Sequence, residues 1–142
     1  MSQLNVATIQ SITSGVPVFK NSSGTEKGQL CKSWVNFDGT DEIGSNLLQI
    51  KDSFNVSSVT DNGSGDYFVT FTNAMADKNY AVVLGHSHQS SNTRQVGLTG
   101  NTDHTDGDYV TTGYRITIER PDTSFGGGRS NSNRVTAAVF GA

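Results

Sequence analysis

Apolar and polar residues alternate with a period of two in short segments along the chain, and Gly, Asn, Asp and Ser separate these segments. Because successive side chains of a β-strand point to opposite faces, this alternation is typical of strands that bury one face. Apolar residues nowhere recur at the spacing of a helix over three turns. The sequence therefore predicts an all-β protein with about eight to ten short strands.

Turn residues indicate how the predicted strands are connected. The segment 61–66 contains Asn-Gly and a second glycine between two alternating runs, which predicts a hairpin loop with positive φ angles. Asp38, Gly39 and Thr40 predict a turn that ends a strand at Phe37. The predicted strands cover the segments 4–9, 16–19, 30–37, 47–51, 54–60, 67–72, 80–86, 95–99, 113–120 and 134–140.

Short strands separated by turns predict an antiparallel β-sandwich or jelly-roll-like domain over residues 29–142. Residues 1–28 are expected to form an extended N-terminal arm for attachment and oligomerisation. The arm carries an alternating strand with Leu4, Val6 and Ile9, followed later by a polar linker at 20–28. That strand has no obvious partner in its own domain, so its N–H and C=O groups would need one in another subunit or protein.

The apolar fraction is low for a chain of this length. Hydrophobic residues make up 33% of the 142 residues, and Ser, Thr, Asn and Gly together make up about two fifths. A core this small in one chain favours the burial of further surface against partner subunits. We therefore expect an oligomer.

The same sequence excludes several classes of protein. No apolar run approaches the ~20 residues of a transmembrane helix, so membrane insertion is not expected. The first residues lack the basic and apolar regions of a signal peptide. The single Cys31 cannot form an intrachain disulfide. A net charge of -3 and a pI near 5.4 argue against nucleic acid as a partner.

His86 and His88 are the candidate metal ligands. Residues i and i+2 of a strand face the same side, so both imidazoles would reach one ion. Three such pairs around a threefold axis would supply six nitrogens, a set that suits octahedral iron or nickel. The alternative is that both histidines lie at the end of a strand and contact water.

Trp34 is expected in the core or at a subunit interface. Together with Phe37, Phe54 and Phe71 it would supply most of the aromatic packing. The alternative is a sugar-binding platform, because Lys32 and Asn36 share its face of the strand.

Motifs for catalysis are absent from the sequence. It contains no Gly-x-Ser-x-Gly nucleophile elbow, and Cys31 lies on a predicted strand without a neighbouring base. The carboxylates are too dispersed to predict a glycosidase pair. We therefore expect a protein that is not an enzyme and that has no cofactor.

Several segments resemble a known family. Residues 32–40, Lys-Ser-Trp-Val-Asn-Phe-Asp-Gly-Thr, are similar to the Lys-Ala-Trp-Val-Asn-Phe-Asn-Gly-Thr opening of a domain in tail fibre proteins of tailed bacteriophages, above all cyanophages and other marine phages. The resemblance continues through 52–67, 71–75 and 79–82, and residues 4–10 are similar to the N-terminus of such proteins. These segments contain 41 of the 142 residues and all lie before residue 83. This chain differs in having no long shaft between the arm and the β domain.

The resemblance implies a homotrimeric structural protein of the virion, on the phage tail or the capsid surface. The expected function is host attachment, as a tail fibre or receptor-binding protein, with the arm bound to other tail or capsid proteins. One alternative is a capsid decoration or head fibre protein that stabilises the shell. A less favoured alternative is a polysaccharide-degrading tailspike enzyme.

Long polar loops are the expected contacts with a host surface glycan or protein, because a rigid sheet positions loops for binding. The predicted loops are 87–94, 101–109 and 123–133. Their candidate receptor-binding residues are Asn92, Arg94, His104, Tyr109 and Arg129.

Overall fold

The computed structural model describes residues 18–20, 23–24, 26–87, 95–97, 109–119 and 128–141, and these segments form β-strands without any helix. This confirms the prediction of an all-β protein for the described part of the chain. None of the described segments supplies a helix that could cross a membrane. The strands are β1 (Val18–Lys20), β2 (Glu26–Gln29), β3 (Ser33–Gly44), β4 (Leu47–Phe54), β5 (Val56–Gly63), β6 (Asp66–Phe71), β7 (Ala81–Ser87), β8 (Gln95–Gly97), β9 (Tyr109–Val110), β10 (Gly113–Glu119) and β11 (Arg134–Phe140).

Nine of these strands form one antiparallel sheet. Eight follow the order β7-β11-β3-β4-β5-β6-β10-β8, and β9 pairs with β10 beside this path. β4 and β5 are joined through the single residue pair Leu47 and Thr60, whereas β3 and β4 pair along most of their length. The sheet therefore divides into two halves, β7-β11-β3-β4 and β5-β6-β10-β8, which are joined by the short pairing of β4 with β5.

The two halves enclose a common core. Phe37 on β3 and Tyr67 on β6 are three places apart in the strand order, yet their rings meet edge to face with centroids 5.2 Å apart. The sheet must curve strongly for these residues to touch. The buried apolar residues are Val35, Phe37, Leu48, Val59, Tyr67, Val69, Phe71, Met75, Tyr80, Tyr114, Ile116, Ile118, Val135, Ala137 and Val139.

The alternation in the sequence matches the burial in the structure. On β10, Tyr114, Ile116 and Ile118 are fully buried, as the predicted shared face requires. The same pattern holds for the inward residues of β6 and β11. The predicted hairpin at 61–66 is also confirmed, with positive φ angles at Gly63 and Gly65.

The turn predicted at Asp38–Thr40 is wrong, because β3 continues through it to Gly44. Asp38 Oδ1 does accept hydrogen bonds from the backbone N and Oγ1 of Thr40, as in a turn. These bonds instead shape an irregularity in the pairing with β4 between Phe37 and Glu42. Gly39 is buried here, and a Cβ at this position would lie 2.8 Å from the carbonyl oxygen of Ser132.

The expected aromatic packing is only partly correct. Phe37 and Phe71 are buried, but Phe54 is 54% exposed and Trp34 lies half-buried on the outer face of β3. Trp34 is outside the core because it alternates with the inward residues Ser33 and Val35. Tyrosines take the place of the missing aromatic rings in the core.

The polar linker predicted at 20–28 is partly a strand. β2 begins at Glu26 and pairs with β1 as a separate antiparallel hairpin. The predicted strand at 4–9, with Leu4, Val6 and Ile9, lies outside the described residues.

A cluster of tyrosines fills one end of the core. The Tyr80 ring lies 5.3 Å from that of Tyr109 and 6.4 Å from that of Tyr114. The single hydroxyl proton of Tyr80 is shared between the carbonyl oxygens of Val110, at 2.9 Å, and Gly113, at 2.6 Å. Tyr114 Oη is buried without a hydrogen-bond partner in the described structure. Burial is the main cause that raises the pKa of Tyr80, to about 12, and it also raises the pKa of Tyr109 and Tyr114.

We expect the free energy of unfolding to fall as the pH rises above about 10, the pKa of tyrosine in an unfolded chain. Above that pH the unfolded state releases the phenol protons while the folded state retains them, so ionisation favours unfolding. Below it, these groups are protonated in both states and contribute no pH dependence. Denaturant unfolding between about pH 8 and pH 11, with phenolate absorbance as a second probe, measures the effect.

Tyr114→Phe is the matched variant for this prediction. It removes a buried hydroxyl that makes no hydrogen bond to a described residue, so stability at neutral pH should be unchanged or higher. The loss of stability at alkaline pH should be smaller than in the unmodified protein. Phenolate absorbance that titrates near its ordinary pH in a protein that stays folded would contradict the prediction.

Candidate functional site

An apolar row crosses the outer face of four neighbouring strands. Val83, Ala138, Trp34 and Phe54 are direct cross-strand partners on β7, β11, β3 and β4. Val83 is 61% exposed and Phe54 is 54% exposed. We call these four residues the outer row. Such an exposed apolar strip is typical of a surface that another molecule covers.

A groove of about 360 Å³ lies along the outer row. Its lining includes Trp34, Val83 and Ala138, together with Asn36 and Thr136 from the next row of the sheet. Thr136 Oγ1 donates to the carbonyl oxygen of Gly85, and Asn36 Oδ1 is buried without a partner in the part of the chain that the structure describes. The groove is therefore mainly apolar, with polar atoms along one side.

A second recess, which is polar, lies between the tips of two hairpins. It has a volume of about 580 Å³. We call it the hairpin cleft. Its lining residues are Glu42, Asn46, Asp61, Asn62, Gly63, Ser64 and Asn131. The described lining includes two carboxylates and no cationic side chain.

Hydrogen bonds within the hairpins fix the two carboxylates of the cleft. Glu42 accepts a hydrogen bond of 3.0 Å from the backbone N of Asn46. Asp61 Oδ1 accepts one of 2.8 Å from the backbone N of Gly63. The backbone N of Asp61 donates to the carbonyl oxygen of Asn46 at 2.7 Å, which ties the two hairpins together.

Asn131 closes the cleft from a third segment. Its Oδ1 accepts hydrogen bonds from the backbone N of Gly65, at 2.6 Å, and from Tyr67 Oη, at 3.3 Å. Nearby, Ser64 Oγ donates to the carbonyl oxygen of Arg129. The segment that starts at residue 128 is therefore attached directly to the β5–β6 hairpin.

A buried ion cluster holds the same segment in place. The Asp66 side chain is 5% exposed and interacts with two guanidinium groups. Its Oδ1 accepts from Arg115 Nε at 2.7 Å, and its Oδ2 accepts from Arg115 and from Arg129 Nη1. Two arginines on one buried carboxylate compensate the cost of removing the charge from water.

The structure places the predicted site residues apart from one another. Arg129 belongs to the ion cluster, and Tyr109 lies half-buried beside Tyr80 at the other end of the core. His86 is half-buried on β7, and its Nδ1 has no hydrogen-bond partner among the described residues. The remaining predicted site residues lie outside the described residues: Asn92, Arg94, His104 and the second candidate metal ligand His88. The described residues contain no cluster of three or more metal-binding side chains.

Sequence reasoning missed the hairpin cleft and the ion cluster. It explained Asp61 and Asp66 by turn chemistry alone, although Asp66 is the first residue of β6 and is buried. The register places Thr117 opposite Asp66, so that Arg115, two residues earlier on β10, is a diagonal neighbour. This pairing depends on which strands are adjacent, and the sequence carries no signal for that.

Comparisons of the chain with protein-family models, with curated proteins and with solved structures find no match.

Asp66→Asn should lower the free energy of unfolding by about 3 kcal/mol, because it leaves two partly buried guanidinium groups without their carboxylate. Asp41→Asn is the control, since Asp41 and Lys51 form an exposed ion pair at 3.5 Å. The control should change stability by less than about 1 kcal/mol. Denaturant unfolding measures both variants, and equal stability of the two would show that the cluster does not hold the fold together.

Proposed function

We propose that this chain is a homotrimeric structural protein of a tailed-phage virion, a tail fibre or receptor-binding protein that mediates host attachment. The observation that carries the proposal is that the two ends of β3 lie in different surroundings. The chain enters the nine-stranded sheet at Ser33, and the hairpin cleft lies at the other end of the same strand, where Glu42 lines it. Twelve residues of strand give β3 a contour length of roughly 35 Å between these two ends. This arrangement suits a protein that is anchored at one end and binds at the other.

The resemblance to phage tail fibre proteins supports the assignment to a virion. Within it, residues 32–40 form the first part of β3, and residues 52–67 form the end of β4, all of β5 and the start of β6. The second segment includes the residues of the β5–β6 hairpin that line the cleft. Residues 1–28 would attach the protein to other tail or capsid proteins. The protein would act without catalysis, on the surface of the virion, and without nucleic acid.

We also propose how the two halves of the sheet are arranged. The two halves of the sheet, joined at Leu47 and Thr60, would be the two layers of a β-sandwich or jelly-roll-like domain. The contact between Phe37 and Tyr67 across the core supports this assignment. A trimer would cover the outer row and so complete the burial that the single chain lacks.

A capsid decoration or head fibre protein is the second candidate. The outer row favours it, because an exposed apolar strip also suits contact with a capsid shell. A polysaccharide-degrading tailspike is the third, and loss of capsular polysaccharide on incubation with the protein would support it.

The position of the protein in the virion separates the first two candidates. Electron microscopy of virions labelled with an antibody against this chain should show density on the tail, and density on the head would favour decoration. Added protein should block adsorption of the phage to its host. A chain without residues 1–28 should remain folded but should be absent from virions.

Val83→Asp tests the subunit interface in solution. The unmodified protein should have the mass of three 15.1 kDa chains by light scattering, and the variant should be a folded monomer, because a charge at the interface is desolvated on assembly. Ile43→Asp is the matched control, since Ile43 is 60% exposed at the β3–β4 hairpin, outside the outer row. A monomeric unmodified protein would exclude the trimer.

A further inference from the structure

We propose that the hairpin cleft is a binding site for glycans with neutral or amino-bearing sugars and that it rejects acidic sugars. The inference rests on the proposed attachment function, and it names the class of receptor and the place where it binds. Of the receptor-binding residues predicted from the sequence, the two that the structure describes, Tyr109 and Arg129, are not among the described lining of the cleft.

The lining of the cleft has the chemistry that sugar hydroxyls require. Glu42 and Asp61 supply carboxylate oxygens, which accept hydrogen bonds from hydroxyl groups. Asn46, Asn62 and Asn131 add side-chain amides, which both donate and accept. Bonds to an ionised acceptor are roughly twice as strong as neutral ones, so the two carboxylates would contribute most to affinity.

The charge of the cleft selects among sugars. Its described lining carries two carboxylates and no cation, and the guanidinium group of Arg129, in the adjoining segment, is paired with Asp66. An acidic sugar would bring a further negative charge close to these carboxylates, which is unfavourable. An amino group on the sugar would instead be attracted to them.

The cleft is large enough for such a ligand and is held in shape before binding. Its volume of about 580 Å³ lies within the range of small-molecule sites. Separate backbone hydrogen bonds fix Glu42, Asp61 and the side-chain oxygen of Asn131. A site with fixed polar groups loses little conformational entropy when a ligand binds.

Binding of purified full-length protein to immobilised sugars tests the proposal. The probes are galactose, N-acetylglucosamine and glucosamine, with glucuronic acid and sialic acid as the acidic set. Binding should occur with at least one member of the first set and with neither acidic sugar. Binding to none of the first set, or equal binding to the acidic set, would overturn the proposal.

The variant Asp61→Asn tests whether the sugar binds in the hairpin cleft. The amide oxygen of the variant retains an acceptor for the backbone N of Gly63, so the hairpin should stay folded, while one charged acceptor is lost. We expect the dissociation constant for the sugar to rise about tenfold. Asp52→Asn is the control, because Asp52 is an exposed carboxylate on β4 that does not line the cleft, and it should leave the constant unchanged. Equal affinity of the folded Asp61→Asn variant would place the sugar elsewhere and overturn the proposal.

A measurement with calcium distinguishes a sugar from a cation as the occupant of the cleft. Calorimetry with calcium chloride alone, and sugar binding in the presence of a chelator, are measured on the same protein. Calcium binding without sugar binding would overturn the proposal, whereas sugar binding in chelator supports it.

Sugar binding by a protein that is absent from virions would retain this site and reject the attachment function, so the two failures are distinguishable.

Discussion

The carboxylate of Asp66 connects three parts of the chain that are distant in sequence. It begins β6, and its two partners are Arg115 on β10 and Arg129 in the segment that leads to β11. Because Asp66 is almost fully buried, the fold retains it only while both guanidinium groups are in place. The position of Asn131, and with it one wall of the hairpin cleft, follows from this attachment. The shape of the proposed binding site thus depends on an interaction that lies beside the cleft rather than in it.

Much of the fold could be predicted from the sequence, because strand formation depends on local alternation. The inward residues of β10 and β11 were found in this way, as was the β5–β6 hairpin, whose glycines allow positive φ angles. Asp38–Thr40 was misread, because the side-chain bonds of a turn also occur in an irregular strand. Trp34 was expected in the core or at a subunit interface because of its size. It lies on the outer face of β3, because it alternates with the inward residues Ser33 and Val35.

The candidate sites could not be predicted to the same extent, since they are built between strands. The outer row exists because four residues from four strands are in register, and no one strand carries more than one of them. The hairpin cleft combines two hairpin tips with Asn131, which is separated from Asp61 by about half of the chain. Sequence patterns report which face of a strand is buried, but they do not report which strands are neighbours.

The length of β3 has a mechanical consequence. Its start connects to the N-terminal segment, its end carries Glu42 of the cleft, and it is paired on one side with β4 and on the other with β11. Antiparallel hydrogen bonds lie across the strand direction, so tension between the two ends would load many of them in shear at the same time. Such a strand resists pulling better than one whose bonds open one after another. In the proposed attachment role, drag on the particle would therefore act along β3 and be shared among its hydrogen bonds to both neighbouring strands.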